Sequence, residues 1–275
     1  MIKVVLFSPT GYVGTFIKER VEKETDLQLI EMSRSSHLDE YRENYDIMLY
    51  SASVSEAQPK KHIQDNVLSA LQIIDFCKKH NVKRIIYLSS DSIYGDLNVN
   101  EVTENVIMVN PGIYGMTKYL AERIIMESEI PYYIIRMPGI VGRIWRKTYL
   151  CRVMDQLRAN EDISVYNADK EFNNVLDIDD LIDFLMLLCR RMGNESKVFL
   201  LGNEEKIILS ELIGYIKKIY NSKSKIIHVS GENRRYFTLD IAKAHAYGYS
   251  SKKLKTIIEN LYLIQEKMEE GERQK

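Results

Sequence analysis

Over the first 137 residues, short unbroken apolar runs alternate with amphipathic stretches, and few folds accept that rhythm. Lys3–Phe7, Leu27–Met32, Asp46–Tyr50, Lys83–Leu88 and Tyr132–Arg136 read as strands, whereas Val13 to Lys23, Ile63–His80 and Tyr114–Ser128 show helical spacing. Strands without polar alternation are buried on both faces and need helices above and below them. Strand–helix–strand crossovers are right-handed, so the pattern predicts an α/β chain with a doubly wound parallel sheet. After Pro138-Gly139 the rhythm loosens. Thr148–Arg158, Asp179–Arg191, Ser210–Tyr220 and Ser251–Glu266 look helical, Val198–Leu201 looks like a strand, and the charged end Lys267–Lys275 is expected to fray. The chain is therefore divided into a sheet domain over 1–138, to which 173–201 returns, and a smaller C-terminal lobe over 139–172 and 202–275.

The charge balance narrows the partners. Lys and Arg number 38 against 39 Asp and Glu, so no bulk field draws nucleic acid or anionic lipid. No apolar run approaches the length of about 18 residues that suggests a membrane span, and the first residues read as a strand rather than a leader. Cys77, Cys151 and Cys189 are widely spaced and odd in number, which suits reduced thiols in a cytoplasmic protein better than a disulfide scaffold. The five histidines show no metal-ligand spacing and read as surface or helix-end residues, so no metal is expected.

The first turn, Ser8-Pro9-Thr10-Gly11-Tyr12-Val13-Gly14, joins a strand to a helix. A helix N-terminus offers N–H donors and a positive dipole end to a pyrophosphate. Gly11 lets the backbone approach such a ligand, Gly14 permits close helix–strand packing, and Ser8 stands in place of the usual first glycine. With a second strand about 20 residues on, this is the context of a Rossmann-type dinucleotide site, and Ser8, Thr10, Gly11, Tyr12 and Val13 are its expected contacts. After the second strand come Ser33-Arg34-Ser35-Ser36, a guanidinium and hydroxyls that suit a 2′-phosphate; Glu31 lies near the position of an acid that would hold ribose hydroxyls. We read NADP(H) in preference to NAD.

The chemistry is carried by two blocks, Tyr87-Leu88-Ser89-Ser90-Asp91-Ser92 and Tyr114-Gly115-Met116-Thr117-Lys118. Tyr114 and Lys118 share a helix face, and a nearby ammonium favours the phenolate that Tyr114 needs to shuttle a proton. Ser90, at a strand's carboxyl end, can hold the reacting oxygen, and Asp91 and Ser92 follow it toward substrate. Arg143 and Arg146 flank Trp145, an indole read as a base-stacking residue, as core or as an interface anchor, and Arg234 and Arg235 offer a guanidinium pair to a diphosphate.

Together these motifs resemble the extended short-chain dehydrogenase/reductase group, the NAD-dependent epimerase/dehydratase family. The resemblance extends to Tyr45–Ser53, Asn66, Ile135-Arg136-Met137-Pro138-Gly139-Ile140-Val141-Gly142 and Phe172–Leu181, in which Asp177 stands where many members carry His. It implies Ser90, Tyr114 and Lys118 as catalytic residues. It also implies a cofactor lying along Gly11, Gly14, Ser51, Ala52, Ser53, Asn66, Lys118 and Pro138, and a nucleoside-diphosphate sugar as substrate, with Asp91, Ser92, Arg143 and Arg235 near it. A homodimer through a four-helix bundle of Gln64–His80 and Tyr114–Ser128 is implied as well. Ser92 replaces the glutamate of sugar-nucleotide dehydratases, whereas Ser89-Ser90-Asp91 and the stretch Arg234–Lys243 resemble 4-ketoreductases. The leading expectation is reduction of a 4-keto sugar, the alternative is 4-epimerisation, and a non-catalytic NADP sensor is the rival from another class.

Overall fold

The computed structural model describes residues 1–36, 40–51, 58–191, 193–230 and 235–273, with side chains as far as Met268. The chain begins β1 (Ile2–Phe7), α1 (Tyr12–Val21), β2 (Leu27–Met32), β3 (Ile47–Tyr50), α2 (Pro59–His62), a π-helical turn (Ile63–Leu68) and α3 (Ser69–Lys79). It continues with β4 (Arg84–Ser90), a 3-10 turn (Asp91–Tyr94), β5 (Asn98–Val102), α4 (Ile113–Met126), β6 (Tyr132–Met137), β7 (Gly139–Val141) and α5 (Tyr149–Arg158). Then follow β8 (Ile163–Tyr166), β9 (Glu171–Phe172), β10 (Val175–Asp177), α6 (Ile178–Arg190), β11 (Lys197–Leu200), β12 (Ile207–Ile208) and α7 (Leu209–Ile219). The last elements are β13 (Ile226–Val229), β14 (Tyr236–Leu239), α8 (Ala242–Ala246) and α9 (Leu254–Arg273).

Residues 1–95, 107–137 and 182–200 form one compact unit. Its sheet has six strands in the order β2-β1-β3-β4-β6-β11, all parallel, which is the Rossmann-type α/β fold expected from the sequence. Successive strand residues point to opposite faces. Val5, Phe7, Met48, Tyr50, Ile85, Tyr87 and Ile134 meet Ile73, Phe76 and Cys77 of α3 and Ala121 and Ile125 of α4. Their strand neighbours Val4, Leu6, Leu49, Ile86 and Tyr133 are equally buried. On that second face Tyr133 meets Phe199, Phe199 meets Phe184 of α6, and Arg20 of α1 pairs with Asp183 of α6. The strand order reverses between β1 and β3, the place where open parallel sheets hold ligands at their carboxyl edge.

The single helix predicted over Ile63–His80 is instead α2, a π-helical turn and α3. The wide turn frees carbonyls that other groups must satisfy. The Tyr50 hydroxyl donates to the carbonyls of Asp65 and Asn66 at 2.7 and 3.0 Å, and Ser69 Oγ donates to that of Gln64 at 3.0 Å. Outward from this face, Leu68, Leu71, Ile113, Met116 and Leu120 are exposed.

The second unit comprises 96–106, 138–181 and 201–275. Its core joins Leu150, Met154 and Leu157 of α5, Leu212 and Ile216 of α7, and Ile257 and Leu261 of α9, with Trp145 packed against it. Trp145, half-buried, also donates to Asp155 at 3.4 Å. Four two-stranded ladders edge the unit: β7–β10, β9–β12, β8–β13 and β5–β14. The last one draws residues 96–106 into this unit, although they precede the boundary drawn at 138. α9 continues to Arg273, past the expected fraying point; Lys267, Met268, Glu269 and Glu270 favour a helix, although Gly271 does not. The three cysteines are free and buried. No helix among the described residues is long and apolar enough to cross a membrane.

Candidate active site

Ser8, Ser33, Ser51 and Ser90 all stand at the carboxyl ends of neighbouring parallel strands. Ser8 makes the first turn in the left-handed region, at φ 71°, a conformation that costs a residue with a Cβ about 1–2 kcal/mol. The turn is held by Ser8 N–H to the Met32 carbonyl at 2.9 Å and by Ser51 Oγ to the Phe7 carbonyl at 3.0 Å. A Cβ on Gly14 would lie 2.4 Å from the Ser8 carbonyl oxygen, so glycine is obligatory there. A Cβ on Gly11 would come no nearer than 3.6 Å to the protein. Thr10 is exposed and Tyr12 and Val13 are half-buried at the start of α1.

Beyond β2, Ser33 N–H donates to Ser36 Oγ at 2.9 Å, and Ser33 Oγ lies 3.0 Å from Ser35 Oγ. Arg34 is paired with Asp65 of the π-helical turn, so its guanidinium already has a carboxylate partner, which the sequence reading did not foresee. Glu31 pairs with Lys18 of α1 at 2.6 Å. Ala52 and Ser53 lie outside the described residues.

Ser90 Oγ accepts from the Ser92 N–H and donates to Ser92 Oγ, both at 3.1 Å, and lies 3.5 Å from Asp91 Oδ1. The first turn of α4 is pressed onto this segment: a Cβ on Gly115 would lie 2.2 Å from the Ser92 carbonyl oxygen. Tyr114 precedes Gly115 in that turn, and its ring lies 5.4 Å from that of His62. His62, the last residue of α2, is buried at this helix end.

One turn further along α4, Lys118 has no exposed surface. Its Nζ donates to the Leu88 carbonyl at 2.7 Å and stands 4.8 Å from the centre of the Tyr87 ring. Burial pushes the Lys118 ammonium down to about 7, against Glu122 and Asp65, whose charges raise it. The ammonium assumed from the sequence is therefore only partly present at neutral pH. Thr117 Oγ1 donates to the Tyr114 carbonyl and accepts from Asn66 Nδ2, each at 3.0 Å.

Another turn on, Glu122 is fully buried and gripped by Arg136 of β6 through Nε and Nη2, the latter at 2.8 Å. Ser89 Oγ donates to the same carboxylate, and Arg136 Nη1 donates to the Tyr94 hydroxyl at 3.0 Å. Four elements meet at this pair, yet neither residue stood out as a site residue in the sequence. The spacing Tyr114–Lys118–Glu122 was the available signal, since residues four apart share a helix face.

In the second unit, Arg143 stands at φ 55° and its Nε donates to Asp179 Oδ1 at 2.7 Å. Asp177 is paired with Lys252, which also lies 3.3 Å from Asp179. Arg235 stacks its guanidinium 4.8 Å from the Phe237 ring centre, Arg234 lies outside the described residues, and Pro138 directly follows β6.

Residues 10–202 match the model of the NAD dependent epimerase/dehydratase family. The chain belongs to that family. As a family member it is 23% identical over 201 residues to a dTDP-D-glucose 4,6-dehydratase of Dictyostelium discoideum, an alignment covering 66% of this chain and 45% of the relative. The chain thus spans under half the length of that relative. In three dimensions it matches a UDP-glucuronic acid 4-epimerase of Bacillus cereus in complex with NAD, at TM-score 0.83 and 16% identity, over 97% of this chain and 99% of the other. It also matches RMD of Pseudomonas aeruginosa complexed with NADPH, at TM-score 0.76 and 17% identity, over 94% and 98%.

Proposed function

We propose that this family member is an NAD-dependent enzyme that inverts the configuration at C4 of a nucleoside-diphosphate sugar through a transient ketone. The observation that supports the reading is the close packing of α4, through Gly115 next to Tyr114, on the backbone of Ser92 two residues after Ser90. A dinucleotide fits the residues present. The space in front of Gly11 is left open by the protein's own atoms, and the N–H groups at the start of α1 suit a pyrophosphate. Ser8, Thr10, Gly11, Tyr12 and Val13 would hold it there, with Ser51, Ala52, Ser53, Asn66 and Pro138 along the remainder. When bound, the cofactor supplies the hydride acceptor and donor. Tyr114 takes the proton of the sugar hydroxyl as a hydride leaves C4, and gives it back when the hydride returns to the opposite face. Ser90 turns its hydroxyl from Ser92 to the sugar oxygen, Asp91 and Ser92 border the sugar, and Lys118 biases Tyr114 toward phenolate.

The NAD-bound 4-epimerase among the similar structures supports this reading, as does the prior engagement of Arg34 by Asp65. A second reading, NADPH-dependent reduction of a 4-keto sugar, is favoured by the hydroxyl cluster of Ser33, Ser35 and Ser36 beside Arg34. It is supported by the NADPH-bound RMD. The exposed apolar residues Leu68, Leu71, Met116 and Leu120 support a homodimer built on α3 and α4.

The test begins with the cofactor that co-purifies, followed by assay on nucleoside-diphosphate sugars. Retained NAD and 4-epimerisation are expected, with Tyr114→Phe losing about 10²–10⁴-fold in turnover while cofactor binding persists. Exchangeable NADPH with 4-keto reduction would move the assignment to the second reading. Full activity in Tyr114→Phe would overturn both.

A further inference from the structure

Ser90, Asp91 and Ser92 follow one another on a short segment, and the residues on either side of it are tied to one buried ion pair. Glu122 of α4 has no exposed surface, and Arg136 of β6 is 5% exposed. The carboxylate accepts from Arg136 Nε at 3.1 Å and from Nη2 at 2.8 Å. Before the segment, Ser89 Oγ donates to the same carboxylate. After it, the hydroxyl of the fully buried Tyr94 accepts from Arg136 Nη1 at 3.0 Å, and the guanidinium lies 5.6 Å from the centre of the Tyr94 ring. The helix bearing Glu122 also meets the segment at Ser92, through Gly115.

Strand register brings these groups together. In the β4–β6 pairing Ser89 stands opposite Arg136, and Ser90 opposite Met137. Side chains alternate between the faces of a strand, and Tyr87, two residues before Ser89, packs in the cluster with α3 and α4. Ser89 and Arg136 therefore rise side by side toward α4, where Glu122 meets both. Net stability is a poor explanation for the pair. Desolvation offsets much of the attraction inside a protein, and well-packed apolar side chains commonly do as well or better. A guanidinium differs from a hydrocarbon in offering a rigid, planar fork of donors. Here two prongs of the fork hold α4 and the third holds Tyr94.

We propose that Ser89, Tyr94, Glu122 and Arg136 are positioning residues that together fix the backbone of residues 90–92 against α4. The functional weight of this inference rests on the roles proposed above for Ser90 and Tyr114. Ser90 is covalently joined to one tethered residue, and Tyr114 lies on the helix that provides the carboxylate. Slack in the tethers lets one shift relative to the other.

Ser89→Ala and Tyr94→Phe each remove one tether and leave both partners of the ion pair in place. The double variant is expected to lose up to about 10²-fold in kcat, the scale of a small misplacement of reacting groups, with KM little changed. Ser89→Thr, which keeps the hydroxyl, should retain most of what Ser89→Ala loses. Packing alone would lower the melting temperature without that split and without that rescue. Amide hydrogen exchange over residues 90–94, measured without cofactor or substrate, is expected to quicken in the double variant while exchange in β1 and β3 stays that of the parent. If the double variant does not fold, Ser89→Ala carries both measurements. Unchanged exchange over residues 90–94, or quickened exchange with kcat untouched, overturns the inference. Quickened exchange confined to this segment, in a protein that binds neither NAD nor NADPH, would sustain it and remove the proposed function.

Discussion

Lys118 shows how much a residue's depth changes its chemistry. The spacing to Tyr114 was legible in the sequence, because four residues make one helical turn. What the spacing does not carry is solvent exclusion, and it is burial that brings the ammonium from 10.5 to about 7. Between those values the unfolded chain holds a proton that the folded chain has released, so the residue's contribution to stability rises with pH through that window and is lowest beneath it. Replacing the buried charge by an apolar side chain of similar length, Lys118→Met, is expected to raise the unfolding free energy near pH 6 by about 1–4 kcal/mol. The gain should shrink toward pH 10, and turnover should be lost. Urea unfolding at the two pH values measures it; equal gains at both would mean that the charge is not the cause. Asp65 and Glu122 escaped notice in the sequence for the same reason, since a carboxylate on a helix usually belongs to a solvated face.

At the level of elements, long strands and helices announced themselves and short ones did not. The apolar runs of β1 to β4 and β6 have no other reading, and their ends place Ser8, Ser33, Ser51 and Ser90 on one edge. The ladders of the second unit use strands of two to five residues, too short for a periodicity to appear. The π-helical turn is likewise invisible in a pattern tuned to 3.6 residues, because the Tyr50 hydroxyl that supports it comes from another strand. The contact between α4 and the 3-10 turn depends on a single missing side chain. Gly115→Ala would drive a Cβ into the Ser92 backbone, and overpacking of this kind typically destabilises by about 1–3 kcal/mol. Turnover should fall by more than the stability loss explains, because α4 carries Tyr114 away from Ser90. A Gly115→Ala protein with unchanged kcat would show that the two residues need not be held together.

At the scale of the whole molecule, a homodimer through a four-helix bundle of these helices was implied by resemblance, and the structure leaves Leu71 and Leu120 exposed on α3 and α4. Isolated exposed apolar residues are common, but a stripe at helical spacing is a surface for association. Leu71→Glu combined with Leu120→Glu is expected to give a folded monomer by sedimentation, from a dimeric parent; a monomeric parent would refute the assembly. The chain also passes between its two units five times, after Gly95, Val106, Met137, Leu181 and Leu200. Thr238 reaches back to the Asn100 carbonyl across 138 residues, so the nascent segment around Asn100 must emerge from the ribosome and wait, edge unpaired, until the chain has been synthesised past Thr238. No single protease cut can release either unit intact. An exposed edge of that kind is an invitation to pair wrongly, which makes the interval of translation between β5 and β14 the period when this chain most needs a chaperone's protection.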